Sequence, residues 1–311
     1  MKINFLLWSS VIRILVSGGT GFVGLPLLQK LIESGHEIIL ITRSVESARA
    51  KIKGSCRFIE WEVGRTLQLT SEPIDGVINL AGAGVADKPW TAKRKKEILN
   101  SRLDISNEII SALNRSDQKP QFAISASAIG IYKDSNANPI TEDSLKGDDF
   151  LAGVCKEWEK IWSEQSTISR TAILRIGIVL GKGGGIIKRI LPVFRLGLGG
   201  RLGDGKQFMS WIHIDDVIQI IENAIGSENY QGIINGVAPG AVTNATFTKE
   251  FSRIIRRPSL FPVPSKILKV ALGEMSNLLL ASHNVQAKRL ENLGYRHKYN
   301  ELSEALKDIL S

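Results

Sequence analysis

The sequence predicts an α/β fold in which helices cover both faces of a doubly wound parallel sheet, followed by a smaller, mainly helical C-terminal domain. Three observations support this prediction. Apolar runs alternate with amphipathic helical patterns up to Gly181. A glycine-rich turn follows the first apolar run. After Gly181 the alternation gives way to a basic, glycine-rich segment, and a helical pattern begins at Phe247. The 311 residues suffice for one large or two small hydrophobic cores.

The first unit of the chain reads as a strand, a turn and a helix. Val11 to Val16 is mostly apolar, and the turn "GGTGFVG" has the spacing G-x-x-G-x-x-G. Gly18 permits a tight turn, Gly21 lets the backbone approach a pyrophosphate, and Gly24 lets the helix pack on the sheet. Together with the strand "HEIILIT" this unit predicts dinucleotide binding by a Rossmann fold; a glycine turn without a ligand is the alternative. The cofactor-binding residues predicted in this turn are Gly18, Gly19, Thr20, Gly21, Phe22, Val23 and Gly24.

The end of the second strand indicates which dinucleotide is bound. An acidic residue there would accept hydrogen bonds from the adenosine ribose, but the chain has Thr42, Arg43 and Ser44. A cation at this position favours the 2′-phosphate, so we expect NADP(H) to be the cofactor, bound by Arg43 and Ser44. The alternative is that Arg43 is a solvated surface residue.

Further strands are predicted at "CRFIEW", "IDGVINLAG", "QFAISAS" and "RTAILRIGIVLG", with a long helix at "AKRKKEILNSRLDISNEIISALNRS". Open α/β sheets bind ligands at the carboxyl ends of their strands. Residues at the ends of the fourth and fifth strands are therefore added to the predicted cofactor site: Leu80, Ala81, Gly82 and Ser125. The predicted division is an N-terminal tail at 1–11, a cofactor-binding domain at 12–240, of which 181–209 contributes to a lid, and a small domain at 241–311.

Composition restricts the function classes. The two cysteines, Cys56 and Cys155, stand far apart, so neither a disulfide framework nor a metal site is predicted. We expect no membrane span and a cytoplasmic location. The net charge of +9 is concentrated in "DKPWTAKRKKEILNSR" and "GKGGGIIKRILPVFRLGLGGRLGDGK", which either meet an anionic partner or form a solvated face. No nucleic-acid partner is expected, because these basic segments lack interleaved aromatic residues.

Several longer motifs carry a resemblance to a known family: "GGTGFVG", "VINLAGAGVADKPWTAKRKKEILNSR", "ISASAIGIYKD", "LRIGIVLGKGGG" and "FRLGLGGRLGDGKQFMSWIHIDDV". The chain resembles the epimerase-like atypical branch of the extended short-chain dehydrogenase/reductase superfamily. Its members are often labelled sugar-nucleotide epimerases or cell-division inhibitors. The resemblance implies an NADP(H)-binding Rossmann domain and a small C-terminal domain of unassigned role. It also implies a chain starting just before the first strand, so "MKINFLLWSS" is either an extra tail or the result of a misplaced start codon.

The sequence departs from the superfamily where acid–base chemistry is expected. Ordinary members use Tyr-x-x-x-Lys, in which the lysine lowers the tyrosine pKa and the tyrosine transfers a proton. None of the four tyrosines is followed four residues later by lysine. The best register in "DDFLAGVCKEWEK" places Leu151 and Cys155 at the two positions. Cys155 is expected to be a small buried residue and not a redox thiol.

Other residues are therefore candidates for catalysis and substrate binding. Ser127, Tyr132 and His213 are the catalytic candidates. Each has a structural alternative: Ser127 as a strand-end residue, Tyr132 as packing beside the cofactor, and His213 as a partner of Asp215 or Asp216. The candidate substrate-binding residues are Arg175, Arg195, Arg201 and Trp211, and each arginine is equally compatible with a surface or ion-paired role.

Two function hypotheses remain. The first is an NADP(H)-dependent epimerase or oxidoreductase acting on a small substrate, anionic or nucleotide-linked, held by the arginines. The second is a catalytically weak module in which NADP(H) occupancy regulates a protein partner, as a link to cell division implies. The missing Tyr and Lys favour the second hypothesis, whereas the complete glycine turn and the polar lid favour the first.

Overall fold

The computed structural model describes residues 11–69, 72–117, 119–135 and 137–311. The predicted tail lies outside these ranges except for Val11. The strands are β1 (Arg13–Ser17), β2 (Glu37–Thr42), β3 (Arg57–Glu60), β4 (Gly76–Asn79), β5 (Phe122–Ala128), β6 (Pro139–Ile140), β7 (Arg170–Ile176), β8 (Ile178–Leu180), β9 (Phe208–Met209), β10 (Trp211–His213), β11 (Gly232–Gly236), β12 (Val242–Thr243) and β13 (Asn284–Val285).

Helices connect most of these strands and make up most of the C-terminal region. They are α1 (Gly24–Glu33), α2 (Val45–Arg49), α3 (Ala92–Arg115), α4 (Phe150–Lys160), α5 (Gly185–Arg195), α6 (Ile214–Gly226), α7 (Asn244–Ile255), α8 (Ser265–Leu272), α9 (Asn277–Leu280), α10 (Lys288–Asn292) and α11 (Leu302–Leu310). One π-helical turn, Ile161–Gln165, continues α4, and two 3₁₀ turns occupy Ile129–Ile131 and Gly273–Ser276.

The central sheet confirms the predicted doubly wound architecture. The described residues form seven parallel strands in the order β11-β7-β5-β4-β1-β2-β3. The chain moves outward from β1 to β3 and then returns to β4 on the other side of β1. This reversal leaves a crevice at the carboxyl ends of β1 and β4, where open α/β sheets bind their ligands.

Helices cover both faces of the sheet because the strands are apolar on both sides. In β1, Ile14 and Val16 face the layer that contains α1 and α6, whereas Leu15 faces α3 and α4. All three side chains are fully buried. This is the burial expected of a central parallel strand, whose sequence is a continuous apolar run.

A third core joins the C-terminal helices to the lid. Phe194 of α5, Trp211 of β10, Phe251 of α7 and Leu306 of α11 belong to one buried cluster. The division at residue 240 stays a prediction, since this cluster contains residues from both sides of it.

Two predicted strands differ from the structure. The first strand is Arg13–Ser17 and not Val11 to Val16, because its pairing with β2 begins at Arg13. The run "RTAILRIGIVLG" forms two strands, β7 in the central sheet and β8 paired with β10. The break falls at Gly177, where a Cβ would lie 2.6 Å from the Ser210 carbonyl oxygen. Only glycine allows the chain to pass so close to this backbone while it changes partners.

Candidate functional site

The glycine turn has the geometry of a dinucleotide cradle. Gly18 has a φ of +75°, and a Cβ there would lie 2.5 Å from the Leu80 carbonyl carbon. At Gly24 a Cβ would lie 2.3 Å from the Gly18 carbonyl oxygen, so α1 packs directly on the turn. A Cβ at Gly21 would meet described atoms only at 3.1 Å. The turn brings the N-terminus of α1, the positive end of its helix dipole, to the crevice between β1 and β4.

The remaining residues of the turn fix its position. A side chain at Gly19 would collide with Leu28 and Leu40, and Val23 is the cap residue of α1. The ring of Phe22 lies against the start of the lid: a Cβ on Gly184 would be 2.1 Å from it. Thr20 is half-buried in the same turn. The turn and the lid segment therefore share a contact through Phe22.

The end of β2 offers a cation without an acidic neighbour. Arg43 directly follows β2 and is exposed, and no acidic side chain in the described ranges forms an ion pair with it. The Ser44 hydroxyl accepts a hydrogen bond from the Ser47 N–H at 3.2 Å and so caps α2, which leaves the hydroxyl proton of Ser44 available as a donor.

The side chain of Asn79 joins the ends of the two strands that border the crevice. It is fully buried, its Oδ1 accepts hydrogen bonds from the Ser17 hydroxyl and from the Ala81 N–H at 3.3 Å, and its Nδ2 donates to the Ser106 hydroxyl. These bonds hold the ends of β1 and β4 together beside Leu80 and Ala81. Ser125, also in the predicted cofactor site, is buried, and its hydroxyl donates to the Ala126 carbonyl oxygen.

Arg102 on α3 packs against Gly82 and was missed by the sequence analysis. A Cβ on Gly82 would lie 2.8 Å from the Arg102 guanidinium carbon, so the glycine makes room for this side chain. The guanidinium donates to the carbonyl oxygens of Ala83 and Ile98 and lies 5.1 Å from the Trp158 ring centroid. Burial lowers the pKa of Arg102 below its ordinary value. The sequence signal was its position on α3, one helical turn after the buried Ile98.

Ser127, Tyr132 and Arg175 form one buried network. The Ser127 hydroxyl donates to Glu159 at 2.7 Å, and Arg175 donates to both oxygens of Glu159 at 2.8 Å. Arg175 also donates to the Tyr132 hydroxyl at 2.8 Å, which in turn donates to Asn235 at 2.6 Å. All five side chains are buried.

The electrostatics of this network are those of a structural element. Burial disfavours the charged form of Arg175, but its hydrogen bonds to Glu159 outweigh burial and raise its pKa. Burial raises the pKa of Tyr132, the opposite of what a lysine partner would do. The hydroxyl of Tyr132 already donates one hydrogen bond and accepts another. The network therefore supports structural roles for Ser127 and Tyr132 and the ion-paired alternative for Arg175.

Leu151 and Cys155, which the best sequence register places at the superfamily Tyr and Lys positions, lie on α4. They are four residues apart, and both line one apolar cavity. Burial raises the pKa of the Cys155 thiol to about 11, so it is protonated at neutral pH. Neither side chain can transfer a proton efficiently or hold a ribose by charge.

His213 is a buried helix cap. Its Nδ1 accepts a hydrogen bond from the Asp215 N–H at 3.1 Å, and its ring centroid lies 4.0 Å from that of Tyr299. Burial lowers the pKa of His213 although Asp215 and Asp308 lie nearby. Asp216 is fully buried and accepts hydrogen bonds from the backbone N–H groups of Lys298 and Tyr299. This cluster fastens the C-terminal segment to α6 and does not line the cavity.

The other predicted substrate residues lie apart from the cavity as well. Trp211 is buried in the third core, and its indole N–H donates to the Gly240 carbonyl oxygen at 2.9 Å. Arg195 and Arg201 are exposed on the lid. The candidate substrate residues are therefore not brought together in this structure.

The cavity has a volume of about 340 Å³ and opens at the carboxyl ends of β5 and β7. Its walls are mostly apolar, among them Leu151, Ile178, Ile190, Phe194, Phe208 and Leu279. Its polar lining residues are Arg102, Asp149, Ser210, Asn244, Thr248, Asn277 and His283. Several of these polar groups are already occupied: Asp149 caps α4, and Asn244 accepts from the Leu202 N–H. Arg102 is the only arginine or lysine among the described residues that line it.

The described ranges contain neither a membrane-spanning helix nor a metal-binding cluster. None of their helices combines the length and the apolar composition needed to cross a bilayer. No cluster of three or more His, Cys, Asp or Glu side chains suited to a metal ion occurs there either.

Comparisons with known proteins agree with this geometry. A profile of the NAD dependent epimerase/dehydratase family matches residues 14–235, and one of a domain of unknown function (DUF1731) matches residues 263–309. The chain is 36% identical over 308 residues to the Arabidopsis thaliana protein named epimerase family protein SDR39U1 homolog, chloroplastic, covering 97% of this chain and 87% of that protein. It is 36% identical over 304 residues to mouse epimerase family protein SDR39U1, covering 96% and 100%.

Among solved structures, human epimerase family protein SDR39U1 (isoform 2), crystallised with NADPH, superposes with a TM-score of 0.84. The two are 34% identical, and the match covers 96% of this chain and 99% of the human one. The glycine cradle, the seven-stranded sheet and these matches over nearly the whole length lead to one conclusion. The chain belongs to the NAD dependent epimerase/dehydratase family, and its relatives include the SDR39U1 proteins.

Proposed function

We propose that the protein is an NADP(H)-dependent oxidoreductase acting on a small, largely apolar carbonyl compound or the corresponding alcohol. The observation that carries the proposal is the apolar cavity at the carboxyl ends of β5 and β7, lined by the α4 face of Leu151 and Cys155. In the superfamily this face of the helix carries the Tyr and Lys that act beside the nicotinamide. Substrate and cofactor would therefore meet at this end of the cavity.

The residues present fit NADP(H). The cradle at Gly18, Gly21 and Gly24 has no room for side chains at its first and last glycines, and a Cβ at Gly21 would meet only the Gly18 carbonyl oxygen, at 3.1 Å. Arg43 and Ser44 stand where the adenosine 2′-phosphate would lie, with no described acidic side chain paired to Arg43. The human relative crystallised with NADPH supports the same cofactor.

The chemistry of the cavity supports an uncharged substrate. A sugar nucleotide carries a diphosphate, which protein sites usually hold with arginine or lysine. Arg102 is the one such side chain on the described cavity wall, and two carbonyl oxygens already occupy its guanidinium. Arg175 is paired with Glu159, and Arg195 and Arg201 lie outside the cavity. These positions support an apolar substrate over the anionic or nucleotide-linked one expected from the sequence.

Bound NADP(H) would exchange a hydride with the substrate. Reduction of a carbonyl also needs a proton on its oxygen, and no described tyrosine or lysine lines the cavity. The proton would then come from water admitted to the cavity, and the apolar wall would orient the substrate and limit that water. Loss of a positioned acid typically costs about 10²–10⁴ in rate, so turnover should be slow.

A regulatory module is the second candidate. The observation that favours it is that Ser127 and Tyr132 are tied into the Glu159 network and His213 caps α6, so none of the three reaches the cavity wall. In this alternative, NADP(H) occupancy would alter the affinity for a protein partner, such as one that acts in cell division.

A turnover panel tests the proposal. Purified protein is incubated with NADPH and either medium-chain aldehydes and ketones or UDP-4-keto-sugars, whose C4 carbonyl can accept the hydride, and NADPH oxidation is followed by absorbance. We expect slow oxidation with the apolar compounds and none with the UDP-sugars. Leu151→Trp, which fills the cavity, should lower this turnover at least about tenfold. Leu145→Trp, on an exposed residue, is the matched control.

The panel has two contrary outcomes. Faster turnover with a UDP-sugar than with any apolar compound would refute the apolar substrate. NADPH binding without turnover of any compound would favour the regulatory module.

A further inference from the structure

One side of the molecule exposes an unusual number of large apolar side chains. Ten such side chains are exposed among the described residues, and seven of them lie between positions 193 and 270. We call these seven the basic apolar patch: Val193, Leu196, Leu198, Leu260, Phe261, Ile267 and Val270. Val270 is 89% exposed and Leu196 is 74% exposed. Soluble proteins expose single apolar residues routinely, but a group on one surface indicates an interaction.

The two segments that carry the patch lie side by side. The Gly199 carbonyl oxygen accepts a hydrogen bond from the Phe261 N–H at 3.4 Å, and the Arg201 carbonyl oxygen accepts from the Val263 N–H at 2.9 Å. The Gly203 N–H donates back to the Val263 carbonyl oxygen at 2.9 Å. Helix α5 leads into the first segment and α8 follows the second, so the exposed residues lie on two segments that adjoin each other.

Helix α8 shows why these side chains project outward. Its only buried residue is Leu268, while Ile267 and Val270, three positions apart, share an exposed face. Lys266 and Lys269 flank them on the same exposed side of the helix. Helix α8 therefore differs from an ordinary amphipathic helix, because apolar residues lie on its solvent-exposed side as well as on its core side.

The charge of the same two segments is strongly one-sided. Residues 185–203 and 251–273 together contain nine Lys and Arg residues and no Asp or Glu. Arg189 and Arg253 are paired with acidic side chains of neighbouring segments. Arg195, Arg256, Arg257, Lys266 and Lys269 form no ion pair with any described residue. The remainder of the chain carries equal numbers of basic and acidic residues.

These features select among the classes of partner. A side chain as exposed as Val270 projects from the surface, so the patch is not a groove that would receive a partner helix. A second copy of the chain would bring the same excess of cations face to face. A nucleic acid would match the charge but not the exposed Leu, Ile and Val side chains. A lipid surface with anionic headgroups matches both the apolar residues and the cations.

We propose that the basic apolar patch docks the protein peripherally on an anionic phospholipid bilayer. The seven apolar side chains insert at the boundary between headgroups and acyl chains, and the surrounding Lys and Arg residues contact the lipid phosphates. The docking surface is separate from the residues that would bind NADP(H), so this proposal does not depend on the proposed function.

Vesicle co-sedimentation tests the proposal with the full-length protein. The vesicles are phosphatidylcholine alone or phosphatidylcholine mixed with phosphatidylglycerol. We expect at least about tenfold stronger binding to the anionic vesicles, weakened by salt. The double variants Ile267→Ser/Val270→Ser and Lys266→Gln/Lys269→Gln should each weaken binding several-fold. The double variant Val63→Ser/Leu145→Ser alters two equally exposed apolar residues elsewhere and is the matched control.

The outcomes separate the partners. Circular dichroism and NADPH titration confirm that the variants are folded. Equal binding to both vesicle types, or an equal loss in the Val63 and Leu145 control, would overturn the proposal. So would binding to soluble polyglutamate with no vesicle binding, which would indicate an acidic protein partner. A dimer that forms through this surface and dissociates in the Ile267 and Val270 variant would overturn it as well.

Discussion

At the scale of single residues, the structure separates side chains that hold the fold from side chains that remain free. The sequence suggested Ser127 and Tyr132 as catalytic candidates and Arg175 as a substrate-binding candidate. In the structure the three satisfy one another through Glu159, with Asn235 as the last acceptor. Breaking a buried ion pair such as Arg175 with Glu159 typically lowers the free energy of unfolding by about 3–5 kcal/mol. The stability of the fold therefore requires these residues whether or not the protein is an enzyme.

Arg43 is the opposite case, a cation with no described acidic partner. We predict that Arg43→Ala weakens NADPH binding at least about tenfold and leaves NADH binding unchanged, because a charge-assisted bidentate contact to the 2′-phosphate contributes about 1.5–3 kcal/mol. Isothermal titration calorimetry of both cofactors measures this. Arg49→Ala, on the neighbouring helix α2, is the control and should bind NADPH as the unaltered protein does. An unchanged NADPH affinity in Arg43→Ala would contradict the cofactor assignment.

At the scale of elements, the sequence predicted most of the cofactor-binding architecture. The order of strands and helices through β5, the glycine turn and the long helix α3 follow from apolar periodicity and glycine spacing. The break at Gly177 was missed, because what ends β7 is the approach of the Ser210 carbonyl, which comes from a distant part of the chain. Local sequence patterns carry no information about contacts with distant parts of the chain.

The turn before α1 yields a matched pair of glycine variants. We predict that Gly21→Val leaves the fold intact but weakens NADPH binding more than about tenfold, because its side chain would stand where the pyrophosphate approaches the backbone. Gly24→Val should lower the free energy of unfolding, since its Cβ would lie 2.3 Å from a backbone oxygen and α1 would have to move. Urea denaturation and fluorescence titration separate the two effects. Equal destabilisation of both variants would refute the distinction.

At the scale of the whole molecule, the candidate substrate cavity is the part that the sequence did not predict. Its wall combines residues from α3, α4, α5 and the C-terminal region, so that positions as distant as Val85 and His283 line one space. Arg102 belongs to this wall, yet on sequence alone it reads as one of many basic residues on α3. The missing Tyr-x-x-x-Lys pair, by contrast, was visible in the sequence, and Leu151 and Cys155, which the best register places there, line the cavity.

The junction between α6 and the C-terminal segment makes stability depend on pH. The pKa of His213 is lowered by burial from its ordinary 6.5, so the unfolded chain binds a proton there more readily than the folded one. The contribution of His213 to the free energy of unfolding is therefore full above about pH 6.5 and is lost as the pH falls below it. We predict that His213→Gln is less sensitive than the unaltered protein to acidification from pH 7 to pH 5. Urea denaturation at a series of pH values measures this, and parallel curves would contradict the assignment.

The nine Lys and Arg residues of the two segments that carry the basic apolar patch, with no Asp or Glu among them, give this surface a positive field. A protein with this charge distribution rotates as it approaches a negatively charged surface, so that the patch arrives first. The rate of arrival should then depend on the nine cations and fall as ionic strength rises. The residence time should depend on the seven apolar side chains and respond little to salt. The cations of this surface would thus set the rate of association with a membrane, and its apolar side chains would set the rate of dissociation.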